Sequence, residues 1–236
     1  MSANWLAIDT ATDIASVAVG TPEQSVARSL RGARQHAAQI LPLIQQVLDL
    51  AELRLEQIAG VIVGDGPGSF TGLRIAWAAA KGLVQERQCP MVAIPSLLAA
   101  AHAAKVETAA ACYDALRGQV FGAVYAFGDN QVKTIVPPGV FTIPTLTERA
   151  GRPPDLVVGD GAERYRDQVV AWTGRPPLGL DALQPLAKSL LALFAYDGER
   201  SPIGDPGLAE PVYGRPAEAQ VKWESRHGRP LPHSSR

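Results

Sequence analysis

The sequence is poor in cysteine and in charge, and it contains no long apolar run. Its 236 residues include two cysteines, Cys89 and Cys112, too few for a disulfide framework or a thiolate zinc cage. The 22 basic and 23 acidic residues nearly cancel, which excludes bulk electrostatic attraction to nucleic acid. Residues 1–12 lack a signal peptide's basic flank and apolar core, and no run approaches the ~20 apolar residues of a membrane span. We therefore expect a reduced, soluble, cytoplasmic protein with no membrane contact.

Common catalytic and metal-binding motifs are also missing. None of the histidines has the H-x-x-x-H spacing that would place two imidazoles one helical turn apart for a metal: His36, His102, His227 and His233. A G-x-S-x-G nucleophile motif is absent, because Gly68 directly precedes Ser69. The sequence predicts no catalytic residues and no metal site.

The two halves of the chain begin with the same pattern. In each half an apolar strand leads into a turn that contains an aspartate, Asp9 or Asp114, and a second strand follows. With 47% hydrophobic residues available for a core, this repeat predicts two lobes of one α/β design. The predicted boundaries are residues 1–104 for the N-terminal lobe, 105–215 for the C-terminal lobe and 216–236 for a disordered polar tail.

Two predicted helices, Arg34–Ala51 and Leu73–Val84, carry more apolar residues than a single core-facing stripe requires. One interpretation is that they lie side by side and present an apolar face to a partner. For Arg34–Ala51, the alternative is that the helix is sandwiched inside its own fold. The first interpretation assigns six partner-binding residues: Ile40, Ile44, Val47, Ile75, Ala78 and Ala79.

A loop rich in glycine, Gly66–Gly72, joins a predicted strand to the second of these helices, where free backbone N–H groups could hold an anion. It is neither a Walker A loop nor a dinucleotide fingerprint, because the required lysine is missing and Thr71 replaces the third glycine. The turn after the first strand could likewise cradle a phosphate. Both segments could equally be ordinary turns. The candidate vestigial phosphate loops comprise Asp9, Thr10, Thr12, Gly66, Gly68, Ser69 and Thr71.

The end of the chain is basic. It carries residues that could touch RNA phosphate, or that could simply be solvated: Arg215, Lys222, Trp223, Arg226, Arg229 and Arg236.

The order of these motifs resembles the TsaB family, also called YeaZ, over roughly Trp5 to Arg215. The resemblance rests chiefly on residues 66–74, GPGSFTGLR, and is supported by residues 6–12, 80–83, 114–118 and 211–215. The sequence departs from the family pattern at Leu116, where a basic residue is usual, and at Gly214, where leucine is usual.

The resemblance implies a two-lobed fold of the actin, sugar-kinase and Hsp70 type, with a ribonuclease H-like mixed sheet in each lobe. It implies a non-catalytic scaffold that binds TsaD during formation of N6-threonylcarbamoyladenosine at position 37 of tRNAs that read ANN codons. TsaE is a further implied partner, and a homodimer is expected when TsaD is absent. Contact with tRNA is expected only indirectly or through the basic tail. No tightly bound cofactor is expected, and ATP or ADP should bind weakly at most.

Alignment with TsaD-like relatives argues against catalysis. The two metal-binding histidines of those relatives fall on Ser96 and Ala100 of this chain. Ala100 cannot ligate a metal, and one hydroxyl is a poor ligand. Two enzyme alternatives are therefore disfavoured. One is a metallopeptidase, and the other is a small-molecule kinase that would use Asp9 and Thr10 at the phosphates with Mg²⁺, for which the small C-terminal lobe leaves little room.

Overall fold

The computed structural model describes residues 3–32, 35–128, 131–196, 201–215, 223 and 226–228. The first sheet has the strand order β3-β2-β1-β4-β5, with antiparallel pairing among β1, β2 and β3 and parallel pairing of β4 with β1 and β5. Its strands are β1 (Asn4–Asp9), β2 (Ile14–Gly20), β3 (Ser25–Arg31), β4 (Ile58–Gly64) and β5 (Met91–Ile94). Such a mixed order is that of a ribonuclease H-like sheet.

The second sheet repeats the order of the first four strands. Its order is β8-β7-β6-β9, with antiparallel pairing of β7 to β6 and β8 and parallel pairing of β6 to β9. The strands are β6 (Thr108–Asp114), β7 (Val120–Gly128), β8 (Gln131–Phe141) and β9 (Leu156–Val158). Asp9 and Asp114 end the equivalent strands β1 and β6. The predicted duplicated α/β fold is thus confirmed.

Helices cover both outer faces and fill the space between the sheets. The described helices are α1 (His36–Leu50), α2 (Phe70–Arg87), α3 (Ser96–Ala103), α4 (Ile143–Ala150), α5 (Asp160–Arg164), α6 (Arg166–Thr173) and α7 (Leu186–Tyr196). Helices α1 and α2 share one core with the outer face of the first sheet. Helices α3 and α7 share another core with both sheets, and α4 to α6 pack on the outer face of the second sheet. No described helix has the length and apolar character needed to cross a bilayer.

One predicted feature differs from the structure, and another is described only in part. Helix α2 begins at Phe70, three residues before the predicted start, because Ser69 caps it by accepting a hydrogen bond of 3.2 Å from Gly72 N. Of the predicted tail, the structure describes only residues 223 and 226–228, and residues 223, 226 and 227 are helical, so the disordered tail stays a prediction. The other basic residues of the tail, Lys222, Arg229 and Arg236, lie outside the described residues, as does His233.

The last part of the predicted C-terminal lobe returns to the first sheet. Helix α7 packs on α3 and on β1, β2 and β4. Residues 201–215, called the strap below, then follow the edge of the first lobe, where Ile203 N donates to Met91 O at 2.8 Å and Val212 N donates to Asp65 O at 2.9 Å. The sheets therefore divide near residue 104, whereas the helices and the strap link the two lobes.

Candidate functional site

Asp9, at the end of β1, is completely buried and held from two sides. Its Oδ1 accepts a hydrogen bond from Ala11 N at 3.1 Å, and its Oδ2 accepts one from the Ser96 hydroxyl at 2.5 Å. Burial raises the pKa of the Asp9 carboxyl, and the bond from Ser96 opposes this with a smaller effect. The carboxyl is thus enclosed by the protein's own groups.

Ser96 connects three parts of the molecule. Its backbone N–H donates to Gly66 O at 2.9 Å, and its hydroxyl oxygen accepts from Gly66 N at 3.2 Å. Its carbonyl accepts from the Tyr113 hydroxyl of β6 at 2.9 Å. A Cβ atom at Gly64 would lie 2.0 Å from Asp9 Oδ2, so this position requires glycine. Ser96 therefore joins β1, the glycine-rich loop and the second lobe.

The residues at the TsaD-like histidine positions do not fit a metal ion. The Ser96 hydroxyl is already bonded to Asp9, and Ala100 is a buried methyl group in the core between the sheets. Within the described ranges, no group of three or more His, Cys, Asp or Glu side chains could hold a metal.

The two candidate phosphate loops pack directly against each other. The Thr10 hydroxyl donates to Gly72 O at 2.6 Å, and Ser69 N donates to Ala11 O at 2.7 Å. A Cβ atom at Gly68 would lie 2.2 Å from Ala11 O, and one at Gly72 would lie 2.0 Å from Thr10 O. The hydroxyl and N–H groups that could hold a phosphate instead form hydrogen bonds between the two loops.

The remaining members of these loops have separate roles. The Thr12 oxygen accepts from Ile14 N at 3.2 Å, which is a local turn contact. Gly66 lies beneath the strap, since its Cβ would be 2.4 Å from Val212 O, and Thr71 is exposed at the start of α2. The sequence identified both segments as candidate phosphate loops, but it did not predict that their polar groups would form hydrogen bonds with each other.

Helices α1 and α2 lie side by side, and half of the predicted partner-binding residues face inward. Ile40, Ile44 and Val47 are buried in the core between α1 and the outer face of the first sheet. The prediction that these three side chains form a seam with a partner is therefore wrong, because the sheet of their own lobe already covers them. On α2, Ala78 is exposed, and Ile75 and Ala79 are half-buried.

The outward side of α1 presents different apolar residues. Ala37 and Ala38 are exposed, and Leu41 is 60% exposed. We define the α1–α2 face as the exposed residues Ala37, Ala38, Leu41, Ala78 and Gly82 together with Ile75 and Ala79, which are half-buried and also pack against the core of the first lobe. The helical pattern could have located Leu41, which lies one residue and about 100° around the helix from Ile40.

The strap extends the site beyond the start of α2. The Tyr213 ring lies 4.5 Å from the Phe70 ring, and its hydroxyl accepts a hydrogen bond of 3.1 Å from Arg74 Nε. Arg215 donates to Ala115 O and to Gln119 Oε1 in the turn between β6 and β7. The strap thus contacts both lobes, through Phe70 and Arg74 in the first and through the β6–β7 turn in the second.

Comparisons with known proteins agree with this architecture. A family model described as "TsaD: tRNA N6-adenosine threonylcarbamoyltransferase" matches residues 30–155, more than half of the chain. The tRNA threonylcarbamoyladenosine biosynthesis protein TsaB of Bacillus subtilis is 26% identical over 224 residues, which cover 92% of this chain and 96% of that protein. YeaZ from Pseudomonas aeruginosa, a solved structure, superposes with a TM-score of 0.74 at 29% identity, covering 90% of this chain and all of that one.

The chain belongs to the TsaB (YeaZ) family. A second solved Pseudomonas aeruginosa structure, an uncharacterized protein with similarity to peptidase YEAZ, is 30% identical with a TM-score of 0.75, covering 91% of this chain and all of that one. The TsaB of Escherichia coli K12 is 36% identical over 131 residues, 54% of this chain. That matched stretch spans 57% of the Escherichia coli protein's length, slightly more than half.

Both departures from the TsaB motif lie near the strap, since Gly214 belongs to it and Leu116 is in the β6–β7 turn that Arg215 contacts. Gly214 has a φ of +72°, and a Cβ there would lie 2.7 Å from Pro67 and 2.8 Å from Phe121, so a larger residue would not fit this conformation. Leu116, with a φ of 61°, and Arg117, with a φ of 53°, are both left-handed. Leu116 is 58% exposed, which places an apolar residue at the surface of this turn.

Proposed function

We propose that the chain is a non-catalytic cytoplasmic subunit that binds TsaD during synthesis of N6-threonylcarbamoyladenosine at position 37 of tRNAs that read ANN codons. Membership of the TsaB family supports the pathway, because the curated relatives are named for tRNA threonylcarbamoyladenosine biosynthesis. The observation that carries the partner role is the α1–α2 face, where the apolar residues Ala37, Ala38, Leu41 and Ala78 are exposed to solvent.

The chemistry of the α1–α2 face suits a helical partner. Its residues are mostly small, and a Cβ atom placed at Gly82 would meet open space. Small residues allow helix backbones to approach closely, so two helices of a partner could complete a four-helix bundle. Exposure of Leu41 to water is unfavourable, and docking would relieve it. The same surface would pair with a second copy when TsaD is absent.

Two features of the site around Asp9 and the glycine-rich loop support a non-catalytic role. Ser96 and Ala100 do not provide the ligands of a metal site, and the hydroxyls and N–H groups of the phosphate loops are bonded within the chain. We therefore propose that the chain binds no cofactor tightly and that ATP or ADP binds weakly at most. TsaE remains a proposed second partner, and contact with tRNA is proposed to be indirect or through the basic tail.

Co-purification of the full chain with TsaD from the same organism tests the proposal. Leu41→Glu and Ala78→Glu place a charge on the α1–α2 face and should weaken binding to TsaD tenfold or more, since a buried aliphatic side chain contributes roughly 1.5–3 kcal/mol. Val170→Glu is the matched control, because Val170 is 38% exposed on α6 of the other lobe. Equal binding by wild type and both face variants, with folding verified by circular dichroism, would place the interface elsewhere.

A further inference from the structure

Arg74 is an exposed arginine whose side chain is fixed by two aromatic rings. It lies on α2 four residues after Phe70 and four before Ala78, so the three share one stripe of the helix. Its guanidinium carbon lies 4.2 Å from the centre of the Phe70 ring and 5.8 Å from that of the Tyr213 ring. Its Nε donates a hydrogen bond of 3.1 Å to the Tyr213 hydroxyl.

This arrangement leaves the outer edge of the guanidinium available for an anion. The bond to Tyr213 uses one of five N–H donors, and the four donors on the terminal nitrogens can form a bidentate pair with a carboxylate. Within the described part of the chain, ion pairs form at Arg31 and Arg164, and none includes Arg74. The side chain is therefore held in place without an acidic partner from the described residues.

We infer that Arg74 binds a carboxylate of an Asp or Glu side chain belonging to the protein that docks on the α1–α2 face. This inference rests on the proposed function, and it adds the chemical identity of one contact. Arginines fixed next to aromatic rings and surrounded by apolar residues are typical of the strongly contributing positions of protein interfaces. Arg74 has such surroundings, with Phe70 on one side and Ala78 on the next turn.

A protein carboxylate is favoured over RNA phosphate by the surroundings of Arg74. Binding to a nucleic-acid backbone uses several cations together. Lys81, one more turn beyond Ala78, donates to Gly207 O at 3.1 Å, and Arg215 is bonded to Ala115 O and Gln119 Oε1. Lys81 and Arg215 keep their charge but direct N–H groups to oxygens of the chain itself, whereas the terminal nitrogens of Arg74 form no hydrogen bond to the described residues. A cation with both terminal nitrogens available suits bidentate pairing with one carboxylate on a protein partner.

Tyr213 is a positioning residue for Arg74. It is held by the strap, because its neighbour Val212 is bonded through its backbone N–H to Asp65 O at 2.9 Å. Tyr213→Phe should keep the ring contact with Phe70 but lose the bond to Nε. We therefore expect Tyr213→Phe to weaken partner binding about threefold, less than loss of the arginine itself.

The test is titration calorimetry of the full chain with purified TsaD from the same organism. Arg74→Ala and Arg74→Gln should weaken binding at least tenfold, and Arg74→Lys should weaken it less. The control is Arg152→Ala, an exposed arginine after α4 in the other lobe, which should bind like wild type. Arg74→Glu should recover affinity when one acidic residue on the docking face of TsaD is changed to lysine, found by changing each in turn.

The outcomes separate this inference from the proposed function. If wild type does not bind TsaD, both are overturned. Suppose that wild type binds TsaD and that Ala78→Glu does not. If folded Arg74→Ala then binds like wild type, the proposed function stands and only the role of Arg74 is overturned. Failure of every charge reversal on TsaD to rescue Arg74→Glu would also overturn it. So would loss of tRNA binding by Arg74→Ala with unchanged TsaD affinity, which would assign the arginine to RNA phosphate.

Discussion

The Ser96 hydroxyl donates a hydrogen bond of 2.5 Å to Asp9 Oδ2, and neither residue is accessible to solvent. The bond joins the end of the first strand to the first residue of α3, which packs between the two sheets. Ser96 is thus used for an internal contact between segments that are distant in the sequence.

Removal of this hydroxyl should destabilise the fold. Ser96→Ala leaves the buried Asp9 carboxyl without its side-chain donor and Gly66 N without its acceptor, which should cost about 1–3 kcal/mol in free energy of unfolding. Urea denaturation of wild type and variant measures the difference. Ser29→Ala, at an exposed serine of β3, is the control and should unfold like wild type. Equal stability of the Ser96 and Ser29 variants would contradict the structural role.

Asp65 should make stability depend on pH. Burial raises the pKa of its carboxyl from 3.8 to about 6, against a smaller opposite effect of the 3.4 Å hydrogen bond that Val212 N also donates to Asp65 Oδ1. The folded chain therefore holds this proton more tightly than the unfolded chain. The resulting stabilisation of the folded state is complete below pH 3.8, the ordinary pKa of the group, and is lost as the pH rises through about 6. Asp9 acts in the same direction.

The variant Asp65→Asn, which cannot ionise, isolates this contribution. Its stability relative to wild type should rise between about pH 4 and about pH 7, because only the wild type loses stability as Asp65 ionises. Urea denaturation at several pH values gives the difference directly. A difference that stayed constant, or fell with rising pH, would mean that the Asp65 carboxyl is not destabilised by burial.

Binding of nucleotide should be weak. The Thr10 hydroxyl and Ser69 N are already bonded to Gly72 O and Ala11 O, so a phosphate would have to break contacts between the loops. We expect calorimetry of the isolated chain with Mg-ATP to detect no binding of micromolar strength. A micromolar dissociation constant, which corresponds to a binding free energy of roughly −8 kcal/mol, would show that the loops open for nucleotide.

The two helices of the docking face should respond differently to an added charge. Ile44→Glu introduces a carboxylate into the core of the first lobe and should cost several kcal/mol of stability, lowering the thermal midpoint sharply. Ala78→Glu adds its charge at the surface and should stay folded. Thermal unfolding followed by circular dichroism compares them, and a stable, fully folded Ile44→Glu variant would show that Ile44 faces outward.

The sequence predicted the sheets better than the surfaces. Strand–turn–strand patterns around Asp9 and Asp114 are local, so the duplicated lobes could be inferred without tertiary information. The start of α2 was missed because Phe70, Thr71 and Gly72 read as loop residues, whereas the cap from Ser69 brings them into the helix.

Contacts between distant segments could not be predicted. Helical periodicity identified Ile40, Ile44 and Val47 as one apolar stripe, but the same stripe is expected whether it packs on its own sheet or on a partner. The strap has no periodic pattern, and its turns are set by proline and glycine. Its contacts with Asp65 and Phe70 depend on where the rest of the chain has already folded.

The first lobe stays incomplete until most of the protein has been synthesised, because helix α7 covers the inner face of its sheet. The inner face of the first sheet, including Ala7 and Ile62, shares a core with Leu190, and the Trp5 ring lies 4.3 Å from the Phe194 ring. These pairs are separated by most of the sequence, so a nascent chain that ends before α7 exposes an apolar sheet face. Such long sequence separations slow folding. The growing chain should therefore depend on chaperones until α7 leaves the ribosome.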